Sequence, residues 1–193
     1  MADGRVYVAT GGNRLVALDE ATGDVLWSHL FSARVTSSSL TLASELVFVG
    51  THDRTLYALD TKTGEQRWSY TTEGQVFGSV TVENGSAYFG STDGHLYSID
   101  ARTGELLWSS ERNFSAESIE RIASSPTVNQ GIVVVGSQDH KLYILDATSG
   151  DRRYLLHVGN PINKAITVVG DHAFFTSYGA AVAVDYTDRN FPF

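Results

Sequence analysis

The residues with chemistry to offer are three aspartates at matching places, Asp53, Asp93 and Asp139, with His52, His95 and His140 close by. A ring of carboxylates could bind a cation or a basic peptide. A calcium ion, however, needs its oxygen ligands at roughly 2.3–2.6 Å, and aspartates set one per repeat stand too far apart to share a single ion. Each sits in a short polar turn (His52-Asp-Arg, Thr92-Asp-Gly, Gln138-Asp-His), where Asp and Gly are ordinary turn formers. The turn reading is therefore preferred over the cation site. The histidines are out of register with one another and show neither HxH nor HExxH spacing, so they read as exposed loop residues. Ser37-Ser-Ser39, Ser79 and Ser124-Ser125 occur in no GxSxG frame. Gly11-Gly12 and the other glycines build neither GxGxxG nor a GKS or GKT loop. With 0 cysteines there is no thiolate metal site and no disulfide framework. No residue is assigned a catalytic, cofactor-binding or metal-ligating role on this reading.

What positions these turns is an internal repeat. Leu15–Trp27 reads LVALDEATGDVLW, Leu56–Trp68 LYALDTKTGEQRW, Leu96–Trp108 LYSIDARTGELLW and Leu142–Tyr154 LYILDATSGDRRY. Asp19, Asp60, Asp100 and Asp146 recur at intervals of 41, 40 and 46 residues. Gly23, Gly64, Gly104 and Gly150 follow 4 positions after the Asp, and an aromatic residue (Trp27, Trp68, Trp108, Tyr154) follows 8 after it. Leu-Tyr-x-Leu-Asp alternates apolar bulk and predicts a half-buried strand. Asp-x-x-Thr-Gly then turns the chain: the carboxylate accepts turn N–H groups, and glycine supplies a positive φ. The residues up to the aromatic form the returning strand. One further strand precedes this hairpin in the first copy and two in each later one, and a column of threonines (Thr41, Thr81, Thr127, Thr167) runs through the innermost. The small residues there, Gly78 included, are attributed to crowding near the axis.

Four antiparallel strands in about 40 residues, repeated, describe the blade of a β-propeller. The fold class is all-β, a single domain over 1–193 of about four to five four-stranded blades in a partial or incomplete ring. Blades are expected at 5–29, 36–70, 76–110, 123–157 and 163–193. The first lacks its innermost strand. The last is a degraded copy in which Phe193 takes the aromatic position 8 after Asp185 and the Thr-Gly turn is lost. Turns between second and third strands share a face with the crossovers between blades. That face carries Asn13, His52, Asp53, Asp93, His95, Asp139, His140, Tyr178 and an insertion at 111–122 with Phe114 and Ile119 as its apolar pair. The insertion reads equally as a partner-binding loop or as a segment folded onto its own blade.

The pattern Ala-x-Asp-x-x-Thr-Gly-x-x-x-Trp resembles the tryptophan-docking motif of PQQ-like propeller repeats, the quinoprotein and BamB-like propellers. Ala17, Asp19, Thr22, Gly23 and Trp27 match it fully, as do Ala58, Asp60, Thr63, Gly64 and Trp68. Ser98 alone departs in the third copy; Ile144, Ser149 and Tyr154 depart in the fourth. The resemblance covers nearly the whole chain. It implies a docking role for the aromatic residue between neighbouring blades, and rings of typically eight blades. Five copies imply a fragment, a shortened relative or an unusual closure, and hence self-association through the incomplete end blades. It further implies a non-catalytic interaction or scaffold module with a protein or peptide partner, as in BamB-like propellers. The competing implication is a remnant of a PQQ-dependent dehydrogenase. No cofactor is expected, because no family ligand maps onto a position here and the adjacent cysteines of those enzymes are missing.

Composition narrows the partners. A formal charge of −8 with no concentrated basic surface excludes nucleic acid as the expected partner. No apolar run approaches the ~20 residues of a membrane-spanning helix. A strand is expected within five residues of Met1, so no signal peptide is expected in the 193 residues, although relatives of this type are commonly in the cell envelope or secreted.

Overall fold

A computed structural model describes residues 4–36, 40–110, 121–122, 124–177 and 180–186, and every regular element in them is a β-strand. The first sheet holds β1 (Arg5–Ala9), β2 (Arg14–Asp19) and β3 (Val25–Leu30). The second holds β4 (Thr41–Ala43), β5 (Leu46–Gly50), β6 (Thr55–Asp60) and β7 (Gln66–Thr71). The third holds β8 (Val76–Glu83), β9 (Ser86–Ser91), β10 (Leu96–Asp100) and β11 (Leu106–Ser109). The fourth holds β12 (Thr127–Asn129), β13 (Ile132–Gly136), β14 (Lys141–Asp146) and β15 (Arg152–His157). The fifth holds β16 (Thr167–Val169), β17 (His172–Ser177) and β18 (Ala180–Asp185). Within each sheet the strands lie in chain order and every described pairing is antiparallel. The five sheets do not close into a ring.

The apolar core lies between sheets. In β5, Leu46 and Phe48 face forward into a cluster with Ala87, Phe89 and Ile99 of the third sheet. Val47 and Val49, on the opposite side of the same strand, face back onto Leu15, Ala17 and Trp27 of the first. A third cluster joins Tyr88, Leu96 and Trp108 to Val133, Val135 and Leu145, and a fourth joins Val134, Leu142 and Ile144 to Ala173, Phe175 and Val184. The Leu-Tyr-x-Leu-Asp strands are thus covered on both sides, not half-buried as alternation predicts. The physical reason is stacking: an interior sheet has a neighbour on each face, so successive side chains all meet apolar surface.

Two polar fastenings recur between successive sheets, a tryptophan bond at the first three junctions and a threonine bond at the last three. The indole N–H of Trp27 donates to the Thr61 carbonyl at 3.0 Å, that of Trp68 to Ala101 at 3.1 Å and that of Trp108 to Ala147 at 3.1 Å. The ring then lies across the glycine of the following turn. A Cβ built on Gly64, Gly104 or Gly150 would stand 2.5, 2.8 or 2.5 Å from the Trp27, Trp68 or Trp108 ring. These three tryptophans are 8–9% exposed, whereas Tyr154 is 36% exposed. The threonine column is a second fastening: Thr41 donates to the carbonyl of Val80 in β8 (2.5 Å), Thr81 to that of Pro126 just before β12 (2.6 Å), and Thr127 to that of Ile166 just before β16. Gly78 has its own reason for being glycine. It takes φ +78° where the register of β8 on β9 shifts between Phe77 and Thr81, so backbone conformation is the constraint there.

The Asp-x-x-Thr-Gly turns are built alike. Asp19, Asp60, Asp100 and Asp146 each accept the backbone N–H groups two and three residues on, at 2.8–3.1 Å. Asp60 also takes Arg67 at 2.7 Å, and Asp146 takes Arg153. All four carboxyls are held below their ordinary value. The Thr22 N–H is the leading cause for Asp19 and the Thr103 N–H for Asp100; Arg153 leads for Asp146, and Arg67 brings Asp60 down to about 2. A depressed carboxyl contributes stability above its unfolded pKa, near 3.9, and loses it as pH falls through the folded value. Thermal stability should therefore decline between about pH 4 and pH 2. Arg67→Gln should move the Asp60 titration upward and leave that of Asp100 in place, which carboxyl ¹³C NMR would read directly. An unmoved Asp60 would contradict the assignment.

Candidate functional site

The turns between second and third strands of the sheets are four-residue loops closed by one backbone bond. The N–H groups of Thr10, Thr51, Ser91 and Ser137 donate to the carbonyls of Arg14, Thr55, His95 and Lys141 at 3.0–3.1 Å. The residue three after the donor has positive φ in Arg54 (+69°), Gly94 (+87°) and His140 (+69°), so only one copy uses the residue best suited to it.

These loops meet the crossovers, the first loop the one that leaves its sheet and the next three the one that leads into theirs. Asn13 donates through Nδ2 to the Phe31 carbonyl at 2.9 Å, and Phe31 N–H returns to the Asn13 carbonyl at 2.8 Å. His52 N–H donates to Arg34, Thr92 N–H to Gln75 and Gln138 N–H to Arg121. Asp93 is the clearest case. One carboxylate oxygen accepts Glu73 and Gly74 N–H from the crossover, at 3.0 and 3.1 Å, together with the Tyr97 hydroxyl at 3.0 Å; the other accepts His95 N–H at 3.0 Å. Burial, and then the Asp93 charge, push the Tyr97 hydroxyl up and keep it a neutral donor. Asp53 accepts Ser32 from its crossover, Thr51 and, at 3.2 Å, Tyr57. Burial acts to raise its carboxyl, but these hydroxyl donors outweigh that and hold it below the ordinary value. Asp139 accepts Tyr143 and pairs with Lys141 Nζ at 3.4 Å, while its Oδ1 is buried with no hydrogen-bond partner among the described residues.

The aspartates are therefore internal clamps, one in each of the second, third and fourth sheets, each tying its loop to a tyrosine four residues on. Sequence reasoning passed over Tyr57, Tyr97 and Tyr143, although the recurring Asp-x-x-Leu-Tyr carried the signal. The histidines are not gathered. His52 is exposed and sets its ring edge-on to Phe77 at 5.7 Å, and His140 is exposed in its loop. His95 departs from the exposed-loop reading: it is half-buried, with Nδ1 2.6 Å from the Ser110 carbonyl, at the end of its loop directly before β10, where its own carbonyl accepts Ser91 N–H. Among the described residues no three His, Asp or Glu side chains converge as a metal site. Phe114, Ile119, Tyr178, Phe193 and Ser37-Ser-Ser39 lie outside the described residues. Among the described residues no helix is long and apolar enough to cross a membrane.

Radially arranged antiparallel sheets, fastened through a tryptophan and a turn glycine, define an arc of a β-propeller of the PQQ-repeat class. The family model described as outer membrane protein assembly factor BamB matches residues 1–190, and the chain belongs to that family. A search of curated proteins finds no match. Among solved structures, BamB from Moraxella catarrhalis is 22% identical with a TM-score of 0.80, over 96% of this chain and 59% of that one. The computationally designed Ika8 protein is 19% identical with a TM-score of 0.81, over 96% and 56% respectively. Quinohemoprotein alcohol dehydrogenase ADHIIG from Pseudomonas putida HK5 is 17% identical with a TM-score of 0.71, over 82% of this chain and 33% of that one. The chain thus spans somewhat over half the length of the first two, and these likenesses are likenesses of fold.

Proposed function

We propose that the chain is a non-catalytic interaction module that engages a protein or peptide partner across its crossover face. The observation that carries this reading is the state of the carboxylates there: Asp53 and Asp93 have spent their acceptor capacity on the chain's own loops and crossovers. What remains outward is a mixed loop surface, including His52 and His140, of the kind that recognises a polypeptide. A dehydrogenase remnant binding PQQ with calcium is the second reading, favoured by the likeness to the quinohemoprotein enzyme. The residues do not fit that group well. Calcium asks for several converging oxygen donors, and no such convergence of carboxylates occurs among the described residues.

Two measurements test the proposal. Titration calorimetry with PQQ and calcium should be flat; saturable micromolar binding would replace the proposal with the second reading. A photo-crosslinking residue at His52 or His140 should capture a discrete partner, while one at Lys62 or Arg102, in the turns at the other end of the strands, should not. Equal capture from both sets would show that the crossover face has no special role.

A further inference from the structure

The two ends of the sheets present opposite charge. One end carries the Asp-x-x-Thr-Gly turns and the hairpin tips beside them, such as Ser44-Glu45 and Asn84-Gly85; the other carries the loops and crossovers. Among the described residues the turn end holds thirteen carboxylates against six arginines and lysines, and the crossover end four against six. Internal pairing sharpens the contrast. At the turn end Lys62, Arg67 and Arg153 are paired with Glu45, Asp60 and Asp146, while eight carboxylates are exposed. At the crossover end the carboxylates are the groups used internally. Asp53, Asp93 and Asp139 are the clamps, with Lys141 beside Asp139, and Glu73 is the one exposed carboxylate among the described residues there. Arg14, Arg34, Arg54, Arg121 and Lys164 are all exposed at that end, and none is ion-paired among the described residues.

These five cations are dispersed along the chain, so no basic run in the sequence announces them; sheets stacked with like ends together gather them. Arg34 and Arg121 hold similar places in two crossovers. Their carbonyls take the N–H groups of His52 and Gln138, which ties each backbone to a loop while the side chain is exposed. Four of the five are arginines, whose planar fork matches a carboxylate in a two-point contact. We propose that the crossover end docks an acidic segment of polypeptide, its Asp and Glu side chains meeting Arg34, Arg54 and Arg121. The inference rests on the crossover-face reading and names the chemistry of the partner. A second copy offering its acidic turn end fits less well. Two chains of charge −8 repel, and end-to-end stacking of this kind does not close on itself. A nucleic-acid strand fits less well too. Phe31 and Tyr97 are buried and Tyr57 is half-buried, which leaves bases little to stack on.

The test follows the fluorescence anisotropy of labelled deca-glutamate titrated with the whole chain at about 50 mM salt, where exposed charges are weakly screened. Saturable binding is expected. Arg54→Glu with Arg121→Glu should weaken it about tenfold, whereas Arg102→Glu with Arg152→Glu should weaken it less than about twofold. Both pairs change the net charge equally, so only the end of the molecule differs. If the first pair fails to fold, Arg54→Gln with Arg121→Gln decides instead, with an expected loss of about threefold. No saturable binding, or equal losses from the two pairs, would overturn the proposal. So would tighter binding of a ten-residue oligo(dT), or a concentration-dependent dimer of the chain that Arg54→Glu with Arg121→Glu dissolves. Crosslinking separates this inference from the reading it rests on. Capture at His52 or His140 of a segment without Asp or Glu overturns the acidic partner alone, whereas equal capture from Lys62 and Arg102 overturns both.

Discussion

Trp68→Ala should destabilise the chain by about 3–5 kcal/mol, the cost of truncating a large buried aromatic. The indole packs 5.7 Å from the Phe48 ring and covers Gly104, and its N–H is the donor seen at the Ala101 carbonyl. Its sister sites have a reserve that this one lacks. The Thr61 carbonyl also accepts the Tyr7 hydroxyl at 3.0 Å, and Ala147 accepts Tyr88 at 3.1 Å, so either retains a donor when its tryptophan is lost. Phe48 stands at the equivalent place in the second sheet and has no hydroxyl, so Trp68→Ala strands a buried carbonyl, which carries its own penalty. The order of loss should be Trp68 above Trp27 and Trp108, with Tyr154→Ala least because its ring is the most exposed of the four. Equal losses across the four in urea melts would contradict the ranking.

Gly104→Ala should cost about 2–5 kcal/mol, from two sources that can be separated. Left-handed backbone at φ +78° carries roughly 1–2 kcal/mol for a residue with a Cβ. The Cβ itself would lie 2.8 Å from the Trp68 ring, overpacking of a kind that costs about 1–3 kcal/mol. Gly23→Ala is the control, with the same strain and an empty space, and should show the first cost alone. In a Trp68→Ala background the Gly104→Ala loss should shrink to the strain. A double-mutant cycle that came out additive would show that ring and glycine are not in contact in solution.

Much of the fold was legible because the chain repeats itself. One Asp-x-x-Thr-Gly hairpin is an ordinary turn, but four copies at a near-constant interval require four units that present the same surfaces. Five sheets in chain order then follow from short connections and antiparallel pairing. The role of Asp60 in its turn was legible too, since it depends on N–H groups two and three residues away. The tyrosine at each clamp aspartate lies only four residues on, but inside an apolar strand pattern it reads as a core ring and not as a hydroxyl donor.

What local sequence could not determine is which contacts cross a junction. The Trp68 acceptor is Ala101, 33 residues on, and the Thr41 acceptor is Val80, 39 residues on. Both acceptors are backbone carbonyls, which every residue possesses and no side-chain type announces. Alternation alone likewise made the strands half-buried, because period two reports that a strand has two faces and not how many of them are covered. Asp93 shows the same division. Its residue type and turn were written in the sequence, but its use depended on where the crossover at Glu73 and Gly74 came to lie. That placement turned a candidate cation ligand into a clamp, and only the stacking of one sheet on the next could decide it.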